Sequence, residues 1–378
     1  MSILLPLIIF LSMKTTILTL TICLLFSVAF GQQKNATENI FIITFDGLRW
    51  QELFTGADSA LITNKEYVKD PLGLKNEFWA ESGDERRRIL MPFFWSELAS
   101  RGQLYGNRIF NNNVNCSNYK WFSYPGYNEI LCGFADDARI KTNNKINNPN
   151  MTVLEFINRN PAYKGKVAAF GSWDVFPYII NETRSGIPVN AGFETATGKS
   201  LSEREVFLNE MQSQIPSPWQ GVRLDGFTHH YALEYLKKNS PRVVFISYGE
   251  TDDFAHEGKY DAYLRSAHQT DAFIRDLWNW TQSQPAYRNK TTFLITTDHG
   301  RGTIPLDTWR SHGTDIKGSD QIWMAVIGPD TEPKGEVKTE MQLYQNQLAK
   351  TAASFLGLLY TNEKPVGDVI HTMFKQAK

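Results

Sequence analysis

The chain has almost no net charge: 39 Lys and Arg residues stand against 40 Asp and Glu residues, a formal balance of -1. Without a basic surplus, bulk electrostatics give no reason to expect nucleic acid as a partner. Basic runs are short too, and the longest, Arg86-Arg87-Arg88, reads as solvated surface. Cysteine is scarce at three residues, and one of them, Cys23, lies in an apolar N-terminal run. Cys116 and Cys132 remain, either as one disulfide or as two buried thiols. Internal repeats and low-complexity tracts are also lacking, so neither a solenoid nor a compositionally biased chain is in view.

What is present is 378 residues, 42% of them hydrophobic, enough to bury a large core. Lys14, an apolar stretch from Ile17 to Phe30, and Ala29-Phe30-Gly31 together have the three parts of a secretory signal. The expected organisation is a signal peptide over 1–31, with Met13 as the working start. A single catalytic domain over 32–378 follows, with an insertion near 58–90. Cleavage predicts a secreted or periplasmic protein with no membrane partner; an uncleaved Ile3–Phe30 segment would instead be an anchor.

The pattern that organises the chain is a strand ending in an acid. Thr291 to Thr297 is a continuous apolar and β-branched run, as expected of a strand covered on both faces. Asp298, His299 and Gly300 follow it, and His312 comes after a short loop. Asn39 to Phe45 repeats the pattern and delivers Asp46-Gly47. Arg242 to Tyr248 repeats it again and is followed by Asp252 and His256, four apart, which share a face on a helical turn. Asp253 competes with Asp252 at three apart. In open α/β sheets ligands bind at the carboxyl ends of the strands, and carboxylates with imidazoles there suit a divalent metal.

Between these acids lies Ser123-Tyr124-Pro125-Gly126-Tyr127. Pro125-Gly126 predicts a turn that presents Ser123 ahead of a helix beginning near Tyr127. A serine so placed is a nucleophile if a metal lowers its pKa, and otherwise an ordinary capping residue. Asn144 sits downstream in a polar loop, where asparagine is normally a turn former. Helices are expected over Met91–Gly102, Thr152–Asn158, Ser202–Gln212, Phe227–Lys238, Tyr260–Trp280 and Met341–Leu356. Strands are expected over Lys166–Trp173 and Gln321–Gly328, and loop over Tyr178–Thr197. This alternation predicts an α/β fold: one doubly wound, mostly parallel sheet with helices on both faces and loop insertions.

In their order and placement these motifs resemble the alkaline phosphatase superfamily, and within it the nucleotide pyrophosphatase/phosphodiesterase branch. The resemblance spans roughly Asn39 to Gly357. It rests on Asp46-Gly47, on Ser123 to Tyr127 in place of Thr-Phe-Pro-Asn-His, and on Asn144-Lys145. Asp252 to His256, Asp298 to Gly300 and Ser311 to Gly313 complete it. It implies two divalent ions, of zinc type: one on Asp46, Ser123, Asp298 and His299, the other on Asp252, His256 and His312. Ser123 would be the nucleophile, Asn144 would contact the phosphoryl group, and the substrate would be a small phosphate ester. Ser123 and Gly126-Tyr127 depart from the branch and leave substrate range open. A sulfatase would carry Arg where Tyr127 stands, and a cofactor-independent phosphoglycerate mutase needs a large inserted second domain. A non-catalytic binding protein would be expected to have lost ligands. The Phe170–Phe176 stretch has no Lys or Arg to hold a monoester's extra oxygen, which favours diesters.

Overall fold

The structure is a computed structural model and describes residues 35–376; the expected signal peptide lies outside them. An eight-stranded sheet carries the fold. In chain order its strands are β1 (Asn39–Phe45), β2 (Gly102–Tyr105), β4 (Val167–Gly171), β5 (Val189–Ala191), β6 (Val243–Tyr248), β7 (Thr291–Thr297), β9 (Met324–Ile327) and β10 (Gly335–Glu336). Across the sheet the order is β10-β2-β9-β7-β1-β6-β4-β5. The five strands from β7 to β5 run parallel, whereas β9 is antiparallel to both β7 and β2. A small second sheet joins β3 (Asn112–Asn115), β8 (Gln321–Ile322) and β11 (Met341–Tyr344).

Both faces of the main sheet are covered, which explains the unbroken apolar runs. Phe41, Ile43 and Phe45 enter one buried cluster with Val244, Ile246, Phe293 and Ile295. Ile40 and Ile42 enter the other with Val243, Phe245 and Leu294. Successive side chains of a strand point to opposite faces, so each central strand feeds both cores. This is the doubly wound, mostly parallel architecture expected from the alternation.

The central strands match the expected runs, and β1 and β7 have the expected bounds. Elsewhere the chain differs. The Tyr178–Thr197 stretch is not simple loop: it includes a short helix at Glu182–Ser185 and the edge strand β5. Met341–Leu356 is not one helix, because Met341–Tyr344 pairs with β3 and a helix occupies Leu348–Phe355. Pairing with an existing strand overrides the local helical pattern there. The insertion near 58–90 holds helices at Pro71–Phe78 and Gly83–Leu90. Cys116 and Cys132 are free and buried. No helix among the described residues is long and apolar enough to cross a membrane.

Asp271, within the long Tyr260–Ser283 helix, shows how polar groups are used in the core. Its carboxylate accepts the Phe93 and Phe94 amides at 2.8 and 3.0 Å, capping the segment that leads into the turn at Phe94–Leu98. Burial pushes its carboxyl up to about 7 in spite of those bonds. Because that lies above the unfolded value of about 4, the native state holds the proton more tightly between the two. This contribution to stability is therefore full below about pH 4 and lost as pH rises towards 7. Urea unfolding of Asp271→Asn should show a smaller fall in stability across that interval than the parent; equal slopes would refute the assignment.

Candidate metal centre

The three central strands end level with one another. Phe45 of β1 pairs with Tyr248 of β6 and with Thr297 of β7, so Asp46, Gly249 and Asp298 start the next segments side by side. The chain turns at Gly47, whose φ of 60° suits glycine. A Cβ on Gly47 would lie 2.9 to 3.0 Å from Asp252 Oδ1, Arg301 Nε and His299 Cε1, so any side chain there would intrude on the site.

Asp46, Asp298 and His299 form one group of converging ligand atoms, all buried. Each has one polar atom held by the protein and one left free. Asp46 Oδ2 accepts the Tyr127 hydroxyl at 2.9 Å, Asp298 Oδ1 accepts the Gly47 amide at 3.0 Å, and His299 Nδ1 donates to the Gly300 carbonyl at 2.9 Å. Asp46 Oδ1, Asp298 Oδ2 and His299 Nε2 are buried with no hydrogen-bond partner. They face one another, Nε2 standing 3.3 Å from Asp46 Oδ1 and 3.5 Å from Asp298 Oδ2. Buried polar atoms left unpaired are costly and call for an explanation. A divalent cation fits this donor set, since one atom of each ligand is oriented by the protein and the other is presented inward.

Asp252, His256 and His312 form the second group. The Glu250–His256 helix supplies Asp252 and His256 on one face, and its start is fixed by buried Asp225, which accepts the Gly249 and Glu250 amides at 2.7 and 3.1 Å. Asp252 Oδ2 is 3.3 Å from His256 Nε2. His312 Nδ1 donates to the Trp121 carbonyl at 3.1 Å, which leaves Nε2 to face His256 Nε2 at 2.9 Å. A ring nitrogen engaged on a backbone carbonyl is the usual orienting contact for a ligating histidine. The His299 and His312 rings stack with centroids 3.8 Å apart, so the two groups are neighbours.

The acids and imidazoles perturb one another's proton affinities. Burial, then Asp252, raises the Asp46 carboxyl; burial, then Asp46, raises Asp298 well above the carboxylate range. Burial opposes charge on His299, but Asp298 and its neighbours outweigh it and push the imidazole up to about 9. Burial, then the charge of His299, holds His312 well below its ordinary value. Asp252 goes the other way: burial opposes its charge, yet Arg301 and then His256 keep it well below the usual range.

Ser123 opens the Ser123–Cys132 helix, somewhat earlier than the sequence predicts, and is 6% exposed. The helix packs against the end of β7, where a Cβ on Gly126 would lie 2.3 Å from the Asp298 carbonyl oxygen. No side-chain hydrogen bond engages the Ser123 hydroxyl among the described residues. The next amide, of Tyr124, donates to Asn143 Oδ1 at 3.0 Å.

The structure thus brings Asp46, Asp298 and His299 together, and likewise Asp252, His256 and His312, while Asp253 joins neither group. Asn144 is exposed, with its amide on Thr142 Oγ1 at 3.3 Å; the asparagine whose side chain reaches the serine turn is Asn143. Two contributors escape a motif-based reading. Tyr127 follows Ser123 by one helical turn and reaches Asp46, a signal legible only once the helix is known to start at Ser123. Arg301 stands three positions after Asp298, is 1% exposed and touches Asp252.

No family model matches the chain. Among curated proteins it is 28% identical over 109 residues to a 2,3-bisphosphoglycerate-independent phosphoglycerate mutase from Gracilaria tenuistipitata var. liui. That match covers 27% of this chain and 20% of the mutase, so the chain spans about a fifth of that relative's length. Solved structures match far more completely. Wild-type alkaline phosphatase PafA superposes with a TM-score of 0.60 at 10% identity, covering 91% of this chain and all of PafA. A 2-O GAG sulfatase gives 0.55 at 14% identity, covering 90% and 76% of the two chains. The phosphonate monoester hydrolase of Agrobacterium radiobacter gives 0.54 at 12%, covering 89% and 77%. The fold is alkaline phosphatase-like. At these identities the likeness is one of fold and does not single out the nucleotide pyrophosphatase branch.

The Tyr127 contact generates a direct expectation. Tyr127→Phe keeps the ring and removes the hydroxyl that orients Asp46, so affinity for one divalent ion should fall by about 10- to 100-fold, the usual cost of losing an outer-shell partner. Calorimetric zinc titration of chelator-stripped protein reads this. An affinity equal to that of the parent would mean Asp46 needs no such support.

Proposed function

We propose that the chain is a secreted or periplasmic two-metal hydrolase of phosphoric esters that uses Ser123 as its nucleophile and prefers small diesters. The observation that carries this is the set of three buried, unpartnered ligand atoms on Asp46, Asp298 and His299, beside a second group on Asp252, His256 and His312. Carboxylate and imidazole donors in this ratio suit zinc. The fold neighbours are consistent with this chemistry, since a phosphatase and a phosphonate monoester hydrolase are among them.

Two bound cations would lower the proton affinity of the serine hydroxyl and neutralise charge that develops on the phosphoryl oxygens. The chain's own residues do the rest. Ser123 Oγ loses its proton and forms a bond to phosphorus as the bond from phosphorus to the leaving oxygen breaks and that oxygen takes up a proton. Water later adds its oxygen to phosphorus, cleaves the Oγ–P bond and returns a proton to Oγ. The start of the Ser123–Cys132 helix puts the positive end of its dipole at Ser123. Asn143 fixes that first turn through the Tyr124 amide, and Tyr127 and Gly126 lock the helix to Asp46 and Asp298.

The diester preference rests on where the nearby cations are engaged. At the end of β4 stand Ser172, Trp173 and Asp174, and Lys145 Nζ is paired with Asp174 at 2.6 Å. Arg223 is buried and donates to Thr228, Asn190 and Glu194. A monoester dianion would leave a third oxygen without a cation, whereas a diester replaces that oxygen's charge with an ester group.

Ser123→Ala should lower turnover by about 10³-fold or more, because covalent catalysis is removed, while Ser123→Thr keeps substantial activity. A chelator should abolish activity and zinc restore it. The deciding assay is a panel of an aryl phosphate, a bis-aryl phosphate, an aryl sulfate and a dinucleotide, with and without zinc. Monoester preferred over diester by more than about tenfold, roughly 1.4 kcal/mol, would overturn the diester assignment and leave the hydrolase intact. Activity on the sulfate alone would overturn both.

A further inference from the structure

Arg301 lies between the two ligand groups and belongs to neither. It is 1% exposed, so its charge must be answered inside the protein. Nε donates to the Gly47 carbonyl at 3.1 Å, one terminal nitrogen to the Arg310 carbonyl at 2.8 Å, and the other to the Asp252 carbonyl at 3.0 Å and to Asp252 Oδ1. Three backbone carbonyls from three segments hold the guanidinium, so it is built into the fold and does not merely stand where a cation would go. Those segments are the turn after Asp46, the helix carrying Asp252 and the loop that leads to His312.

The contact with Oδ1 discriminates between the two oxygens of Asp252. Oδ1 lies 3.6 Å from His312 Nε2 and 3.7 Å from His299 Nε2, midway between the groups, whereas Oδ2 faces His256 at 3.3 Å. A free carboxylate in that position could serve either group or bridge them. We propose that Arg301 is a positioning residue that assigns Asp252 to the His256/His312 group: it occupies Oδ1, presents Oδ2, and ties the His312 loop to the same anchor. The inference rests on the two-metal reading. A lysine could keep the charge but not the planar fork that meets a carboxylate and three carbonyls together.

The test is a cobalt(II) titration of the chelator-stripped full chain, followed by visible absorbance, with melting temperature measured alongside. His256→Ala, which removes a second-group ligand, identifies the second binding step, and Tyr127→Phe identifies the first. In Arg301→Lys and Arg301→Met the second step should weaken by about 10- to 100-fold while the first moves by less than about threefold. Should Arg301→Met not fold, Arg301→Lys decides alone, since it retains the buried cation. An unchanged second step in a folded variant overturns the inference and leaves the two-metal reading standing. Equal weakening of both steps, in proportion to a lowered melting temperature, overturns it too, because it would show only a general structural role. A parent chain that binds no cobalt sinks both.

Discussion

Like-charge repulsion among Asp46, Asp252 and Asp298 is the constraint to which the rest of the site answers. Three carboxylates delivered to one end of one sheet cannot all ionise in a buried space unless positive charge is brought to them. The chain supplies one such charge permanently, the Arg301 guanidinium, and spends it on Asp252. It leaves the remaining two acids raised, each with one oxygen unpartnered and facing an imidazole. A fold that only needed stability would have no use for this arrangement, because apolar residues of similar volume would serve as well. Repulsion of this kind, concentrated in one cleft and supported by hydrogen bonds on its outer side, suits a divalent cation.

The outer hydrogen bonds explain how four separated stretches of sequence act as one site. Gly47, Tyr127, Gly300 and Trp121 each take the second polar atom of a ligand and leave the first no freedom to turn away. Gly126 serves the same end by absence of a side chain, since only a bare Cα lets the serine helix lie against the Asp298 carbonyl. Substituting Tyr127 or Gly126 would therefore disturb Asp46 or Asp298 without replacing either acid.

Much of the frame was legible in the sequence because parallel strands buried on both faces leave a strong mark. The runs at Asn39–Phe45 and Thr291–Thr297 have the bounds of β1 and β7, and the acids that follow them stand at the expected end. The i, i+4 spacing of Asp252 and His256 likewise translated directly into a shared helix face. Less legible was whatever depends on a long-range partner. Met341–Tyr344 is a strand because Asn112–Asn115 is there to pair with it, and no local pattern records that. Asn143 and Asn144 are chemically equal in sequence, and only the path of the loop decides which one meets the Tyr124 amide. Arg301 carries no motif at all, since its role is defined by three carbonyls from distant segments.

The order in which the strands are laid down has its own consequence. β1 is the first strand in the chain, yet its neighbours are β6 and β7, and Asn39 meets Thr291 across 252 positions. During synthesis at a ribosome this buried strand would wait, both edges bare, until most of the chain has emerged. Closing so long a loop is slow, and exposed strand edges are sticky meanwhile. A truncation before β7 would remove β7, β9 and the edge strand β10 together and leave one side of β1 bare.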